Sequence, residues 1–444
     1  MFILNDLLRP LQAAFKDTEE GQERGHWFVW VLLAVIVPFT SSISSNLLRS
    51  LESLFDIHPG RRRFYQFMAS PKLPWLRLWR ILWGLIPTPT VEGRLLVALD
   101  DSINNKSGRK IFGCGFFHDH TAKLNQPDYP WAQNLVSIGL LKRIKGRWAC
   151  LPLAFRFYLL RKDVEAQAAT VLRKGQPVAF KTKLEQAVEM LHEVANAFAG
   201  QPLLVVTDSW FGNNGLYRPL RERGLPVELL SRLRSNLHLF DSPEARLPGR
   251  RGAPCKYGKS LGSVAEQAAE LHAEARPLTV DLYGRQREVQ VAERVVMLKT
   301  LKCPVRVVWV FRRRHYVALF TTDLTLSVTQ IIEYYGARWK IESGFKEIKQ
   351  ELGSAQSQAR TADAVTNHLQ FCMMAATLVW IYADRLAADP ERRHAVAGRS
   401  SFAFSDVRRM IAKVALTESF RRLWPAPPSS LPNGLASLLL RLVA

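Results

Sequence analysis

Residues 335–349 read Tyr-Gly-Ala-Arg-Trp-Lys-Ile-Glu-Ser-Gly-Phe-Lys-Glu-Ile-Lys, and no other stretch constrains the fold as much. Arg338, Glu342 and Lys349 follow Tyr335 at offsets of three, seven and fourteen residues. At about 100° per residue, each returns to within roughly 60° of Tyr335 around a helix. One face then carries a phenol, a guanidinium, a carboxylate and an ammonium over about 20 Å of axis. A helix that only packs offers an apolar stripe there instead. A fold that keeps this helix must bring charge to meet it, and one acid among phosphate-binding groups suits metal-assisted chemistry on a phosphodiester.

Charge points the same way. Lys and Arg number 61 against 39 acids, a net charge of +22, so polyanions are the expected partners. DNA, RNA and an anionic membrane all satisfy that charge. The excess is spread along the chain and not confined to a low-complexity tail. The 444 residues, 48% of them hydrophobic, are enough for a large core and two to four domains. Cys114, Cys150, Cys255, Cys303 and Cys372 are odd in number and scattered. They form no Cys-x-x-Cys zinc pattern or disulfide framework, which fits a reducing cytosol.

Residues 27–39, WFVWVLLAVIVPF, invite a membrane reading. The run is shorter than the roughly 20 residues that span a bilayer core, and Pro38 interrupts its end. Asp17, Glu19 and Glu20 precede it, where a signal peptide carries basic residues. The expectation is a buried helix within a helical N-terminal region of about 90 residues, and no membrane partner. In that region Arg61, Arg62, Arg63, Phe64 and Tyr65, then Trp75, Arg77, Trp79, Arg80 and Trp83, interleave arginine with aromatics. Two readings stay open: a DNA-gripping surface, or a solvated basic face with its aromatics in the core. Pro87 and Pro89 mark a linker.

Residues 94–99 form a short apolar strand ending at Asp100, Asp101 and Ser102; 104–109 read as a turn and 111–117 as the returning strand. Residues 151–160 give another strand. Thr182 and Glu185 make a capping-box pattern for a helix that Gly200 ends. The apolar run 203–207 delivers Asp208. Residues 226–325 read as a β-rich insertion with strand pairs at 280–296 and 305–321, followed by the polar helix. An apolar helix then spans 364–386 and a helical segment 402–424. No internal repeat is present.

Two strands that each end in Asp, together with a helix that presents Glu, gather carboxylates from separate elements. Such a set can bind two Mg2+ ions, hard cations that prefer oxygen, with Mn2+ as a substitute. A two-metal site supports in-line displacement at phosphorus.

With these residues in view, the chain resembles a DDE transposase of the insertion-sequence-four type over residues 90–385. Its helix signature, Tyr, two residues, Arg, three residues, Glu, six residues, Lys, is met by Tyr335, Arg338, Glu342 and Lys349. Asp208 in VVTDSWFGN resembles the family's second acid. The resemblance implies an α/β fold, an RNase H-like mixed sheet flanked by helices and interrupted by the β-rich insertion. It divides the chain into a helical DNA-binding region at 1–90, a catalytic domain at 91–225 and 326–386 around the insertion at 226–325, and a helical segment at 387–444.

The resemblance implies catalytic roles for Asp100 or Asp101, Asp208 and Glu342, with Asp100, Asp208 and Glu342 as metal ligands. Only one of the acid pair can face the metals, because side chains alternate along a strand. Asp100 is preferred, with Asp101 turned toward Lys106, Arg109 or Lys110. Tyr335, Arg338 and Lys349 are implied to grip DNA phosphates. The implied activity is cut-and-paste transposition of double-stranded DNA by a homodimer, in the cytoplasm on the nucleoid. A decayed transposase that only binds DNA, or a nuclease without strand transfer, are the alternatives.

Arg232, Arg234, Arg250, Arg251, Lys256 and Lys259 in the insertion are candidate phosphate contacts or solvated loop charges. His118 and His120 share a strand face with no third metal ligand in reach. Trp309 is expected in the core, and Trp339 can stack on a base.

Overall fold

The computed structural model describes residues 3–119, 122–243, 255–313, 315–394 and 401–424. Five helices open the chain: α1 (Ile3–Gln12), α2 (Glu19–Ile36), α3 (Ser44–Phe55), α4 (Arg61–Met68) and α5 (Trp75–Gly84). Thr18 caps α2, accepting from the Gly21 amide, and the helix stops before Pro38. Its apolar run is buried, Trp27 through Val37, as the short length and interrupting proline led one to expect. The interleaved residues resolve toward the core reading. Phe64, Trp79 and Trp83 are buried, while Arg61, Arg62, Arg77 and Arg80 are exposed.

Strand β1 (Leu95–Asn105) runs through the acid pair and does not stop at it. Its antiparallel neighbour is not 111–117. Only β2 (Cys114–Phe116) forms there, and it pairs with β3 (Trp131–Ile144), the true partner of β1. β3 turns into β4 (Arg147–Tyr158) through Lys145 and Gly146, both at positive φ, as a two-residue hairpin requires. A short helix, α6 (Arg161–Glu165), and a two-strand ribbon, β5 (Leu172–Arg173) and β6 (Gln176–Pro177), lead to α7 (Lys183–Ala197). The Thr182–Glu185 capping box at α7 is present. β7 (Leu203–Thr207) then lies parallel to β1, α8 (Asn214–Glu222) crosses over, and β8 (Val227–Arg232) lies parallel to β7.

The order β4-β3-β1-β7-β8, three antiparallel strands then two parallel ones, is the RNase H-like arrangement. Because β8 belongs to this sheet, the insertion begins after Arg232 and not at 226. It comprises β9 (His238–Phe240), β10 (Ser260–Ser263), α9 (Val264–Leu271), β11 (Arg276–Asp281), β12 (Gln286–Leu298), β13 (Cys303–Arg312) and β14 (His315–Thr321). β14 pairs with β8, so the insertion extends the central sheet to twelve strands. The chain ends with α10 (Val328–Lys346), α11 (Ala362–Arg385), α12 (Phe404–Ala415) and α13 (Glu418–Leu423).

Strand alternation divides the core. Leu95, Val97 and Leu99 face a large cluster shared with the N-terminal helices, α7 and α11. Leu96, Ala98, Leu204, Val206 and Leu230 face a second cluster under α10. The N-terminal helices therefore share one core with the sheet. Among the described residues only α11 is long and apolar enough to cross a membrane, and 83% of its apolar window is buried. Phe371 on α11 stacks against Phe28 and Trp75, each at 5.1 Å between ring centroids.

Candidate active site

The same period of two aims the acids. Asp100 continues the Leu96, Ala98 row and Asp208 continues the Leu204, Val206 row, so both emerge on the α10 face. Asp101 points to the opposite face. There its Oδ2 accepts from Lys183 Nζ at 2.8 Å and from Asn134 Nδ2 at 3.1 Å. The expected partners Lys106, Arg109 and Lys110 are not used. Lys106 donates to the carbonyls of Ala355 and Ser357, and Arg109 lies over the Phe116 and Trp131 rings.

α10 is set by a capping box between Ser327 and Gln330, and it packs Ile331, Ala337 and Ile341 onto the sheet. This register lowers Arg338 between the acids. Nη1 donates to Asp100 Oδ2 at 2.9 Å and Nη2 to Glu342 Oε1 at 3.0 Å. Arg338 is 9% exposed, and its buried Nε has no hydrogen-bond partner. Burial works against its charge, yet Asp100, Tyr335 and Glu342 hold its pKa above the ordinary value. Tyr335 leans on it, its ring centroid 5.7 Å from the guanidinium carbon.

Burial pushes the Asp100 carboxyl up to about 7; Arg338 pulls it down, and Asp208 and Asp101 push it further up. Burial also raises Glu342, against the pull of Arg338. Asp208 sits in a turn where Oδ1 accepts the amides of Trp210 and Phe211 at 3.0 and 3.1 Å. Its Oδ2 has no hydrogen-bond partner among the described residues. Ser231 Oγ on β8 donates to the Asp208 carbonyl at 2.7 Å, and a side chain at Gly212 would collide with Ser231. The turn is thereby pinned to the sheet.

Among the described residues, no three His, Cys, Asp or Glu side chains are drawn close enough to hold a metal ion. The reason is visible, since the Arg338 guanidinium stands between Asp100 and Glu342. The donors still suit a hard divalent cation, being carboxylate oxygens from three elements. Burial and mutual repulsion leave them short of positive charge.

Lys349 departs from the simple stripe. The α-helix gives way to a π-helical turn over Glu347–Glu351, which shifts the phase at that position. Its ammonium donates to Ser102 Oγ at 2.5 Å and to the Ile103 carbonyl at 2.7 Å, and burial pushes its pKa down to about 8. Lys349 thus holds the end of β1.

Arg232 and Arg234 are exposed at the end of β8, and Arg232 is near enough to Tyr335 to act on it electrostatically. Lys256 and Lys259 are exposed, whereas Arg250 and Arg251 lie outside the described residues. Trp309 is 0% exposed and Trp339 is 52% exposed. His118 lies beyond β2, not on a strand, with its ring 5.0 Å from that of Tyr129; His120 is outside the described residues.

The sequence reading missed Lys183, whose contact with Asp101 spans the distance between two elements and leaves no local signal. It also passed over Trp210, 45% exposed and two residues after Asp208, which the motif VVTDSWFGN could have brought to notice.

A family model described as "DDE superfamily endonuclease" matches residues 22–295, more than half of the chain. The chain belongs to the DDE superfamily endonucleases. The matched range includes Asp100 and Asp208 and ends before α10, which carries Glu342. One solved structure similar to the chain is titled "Cryo-EM structure of piggyBac transposase synaptic complex with hairpin DNA (SNHP)". The identity is 14% and the TM-score 0.44, over 98% of this chain and 83% of that one. No curated protein matches the chain.

Proposed function

We propose that this DDE superfamily endonuclease is a transposase of the insertion-sequence-four type. It cuts DNA at the ends of its own element and joins the freed 3′-hydroxyl to target DNA. The observation that carries this reading is the meeting of Asp100 and Glu342 on one buried guanidinium beside Asp208. Stability alone does not favour so many charges in one place, since buried ion pairs are at best near neutral for folding.

In this reading Asp100, Asp208 and Glu342 hold Mg2+, or Mn2+ in its place, while Lys183 and Asn134 keep Asp101 out of the site. When bound, the metal ions activate the attacking oxygen and stabilise the leaving one. Arg338 turns from the carboxylates to a DNA phosphate, where its planar fork makes paired hydrogen bonds. Tyr335 orients that guanidinium, and Lys349 fixes the β1 end that carries Asp100. Arg232 and Arg234 contact the DNA backbone, as do the exposed arginines of α4 and α5. Transposition brings two element ends together, so the working form on DNA is a homodimer, at the nucleoid.

The test is cleavage of duplex DNA bearing the gene's own flanking repeats, comparing wild type with Glu342→Gln. Wild type cuts at the repeat boundaries and yields joined products. The variant loses about a thousandfold in cleavage, ~4 kcal/mol of barrier, with its DNA affinity kept. Cuts without joined products make the protein a nuclease. Binding without cuts by wild type, in Mg2+ and in Mn2+, overturns the enzymatic reading.

A further inference from the structure

The parallel ladder between β1 and β7 stops at Leu99 and Thr207, one residue short of each acid. Thr207 Oγ1 braces that last rung by donating to the Leu99 carbonyl at 3.1 Å. Asp100 and Asp208 therefore follow the point where the two strands stop bonding to each other. Ser231 pins the Asp208 turn from the β8 side. On the β1 side, and on the sheet face away from α10, stands the ammonium of Lys183.

Lys183 opens α7, directly after the Thr182 cap. A cation is disfavoured there, because the free amides of a helix's first turn already carry partial positive charge. What Lys183 touches offsets that cost. Its Nζ donates to Asp101 Oδ2 at 2.8 Å, next to Asp100 on β1. The same ammonium lies 5.5 Å from the Trp210 ring centroid and 5.2 Å from that of Tyr158, at the end of β4. Trp210 belongs to the Asp208 turn, and its amide is one of the two that Asp208 Oδ1 accepts. One partly buried charge thus meets the neighbour of the first acid and a residue that holds the second.

We propose that Lys183 is a positioning residue whose ammonium fixes Asp100 and Asp208 relative to each other from behind the sheet. This goes beyond keeping Asp101 out of the site. The bond to Asp101 and the attraction between ammonium and indole face tie β1 to the Asp208 turn past the last rung of the ladder. The proposal rests on the reading of Asp100 and Asp208 as metal ligands, and it adds what holds the two together.

Two measurements on the full chain test it. The first is hydrogen exchange, read by mass spectrometry without metal or DNA, of the peptide that carries the Trp210 and Phe211 amides. Lys183→Met keeps an unbranched side chain and removes the charge, so exchange there should be about fivefold faster. Lys183→Arg should restore it. Lys181→Met should match wild type, since Lys181 pairs with Glu189 instead. The second is titration calorimetry with Mn2+. Removing a cation near the site tightens Mn2+ binding if only charge matters. Removing a positioning residue loosens it, and Lys183→Met should weaken it about tenfold, with Lys183→Arg near wild type. The opposite signs separate the two effects. Thermal melting checks that each variant is folded.

Wild-type exchange of the turn in Lys183→Met overturns the proposal, as does faster exchange shared by the remote β12–β13 ladder, which is lost stability. Mn2+ binding that Asp208→Asn abolishes but Lys183→Met leaves unchanged or tighter also overturns it, and the metal site then stands. Mn2+ binding indifferent to Asp208→Asn and Glu342→Gln removes the metal-site reading instead. A turn loosened in Lys183→Met alone would still uphold the tie between the two acids.

Discussion

Helices α4 and α5 and helix α10 all mix arginine with aromatic residues, yet the chain folds them in opposite senses. In α4 and α5 the aromatics go in and Arg61, Arg62, Arg77 and Arg80 stay out. Trp79 is buried and donates to Gln370 Oε1 of α11 at 2.6 Å. In α10 Arg338 goes in, and its neighbour Trp339 is 52% exposed. Composition does not separate the two cases. What differs is the opposing surface: apolar α11 and α2 below the first, and Asp100 from β1 below the second. Arg338 is buried where two carboxylates meet it, and a guanidinium buried without hydrogen-bond partners costs several kcal/mol. The first arrangement serves the core, and the second gives up packing to assemble charge.

The largest expected effect tests the first half of the contrast. Trp79→Ala removes a buried indole and strands Gln370, so unfolding by denaturant should show a loss of about 4 kcal/mol. Arg80→Ala on the exposed face should stay within about 0.5 kcal/mol. Should Trp79→Ala prove nearly neutral while abolishing DNA binding, the aromatics of this region are recognition groups, and the contrast collapses.

A second, smaller effect separates the two regions by pH. The helical layer buries neutral imidazoles: burial pushes both His26 and His368 down to about 4. His368 Nε2 donates to the Ser42 carbonyl at 2.5 Å, which ties α11 to the segment before α3. A group with a lowered basic pKa binds fewer protons folded than unfolded. Its contribution is therefore intact above the unfolded value near 6.5 and is lost as pH falls toward 4. At pH 5 the loss from His368 is about 2 kcal/mol. Melting temperatures between pH 7.5 and 5 should fall more steeply for wild type than for His368→Gln. Parallel curves would mean that the buried carboxylates, not the imidazoles, govern acid stability.

The chain announces some of this and hides the rest, for physical reasons. The capping box at Thr182, the apolar run before Asp208, the strand pairs of the insertion and the apolar α11 are local patterns, and each formed as expected. Strand alternation also foretold that Asp100 and Asp101 would point to opposite faces, one toward α10 and the other toward Lys183. β3 stayed hidden because its polar residues mask the strand period. Gln133, Asn134 and Lys142 are buried, and each donates to a group far along the chain: Phe112 O, Asp101 Oδ2 and the carbonyls of Pro87 and Thr88. Its hairpin turn uses Lys145-Gly146, not the Asn-Gly or Asp-Gly that advertises this turn type. The π-helical turn that re-aims Lys349 follows from how α10 meets β1, and no helical period reads it out.

The second half of the contrast is tested by Arg338→Gln. The guanidinium bonds Asp100 and Glu342 and so places one positive charge between the carboxylates proposed to hold the metal. Replacing it with a neutral amide frees carboxylate oxygens and removes a competing charge. Without DNA, titration calorimetry with Mn2+ should then show about tenfold tighter binding than in wild type, or ~1.4 kcal/mol. Metal-free melting should move the other way, because carboxylates left without their counter-ion repel one another. Added Mn2+ should restore more of the melting temperature in the variant than in wild type. Trp339→Ala, one residue along the helix, should change neither quantity. Equal Mn2+ affinity in wild type and Arg338→Gln would mean that the guanidinium does not stand where a cation binds. Arg338 would then be a buried structural ion pair, and α10 would differ from α5 only in which side chain fills the core.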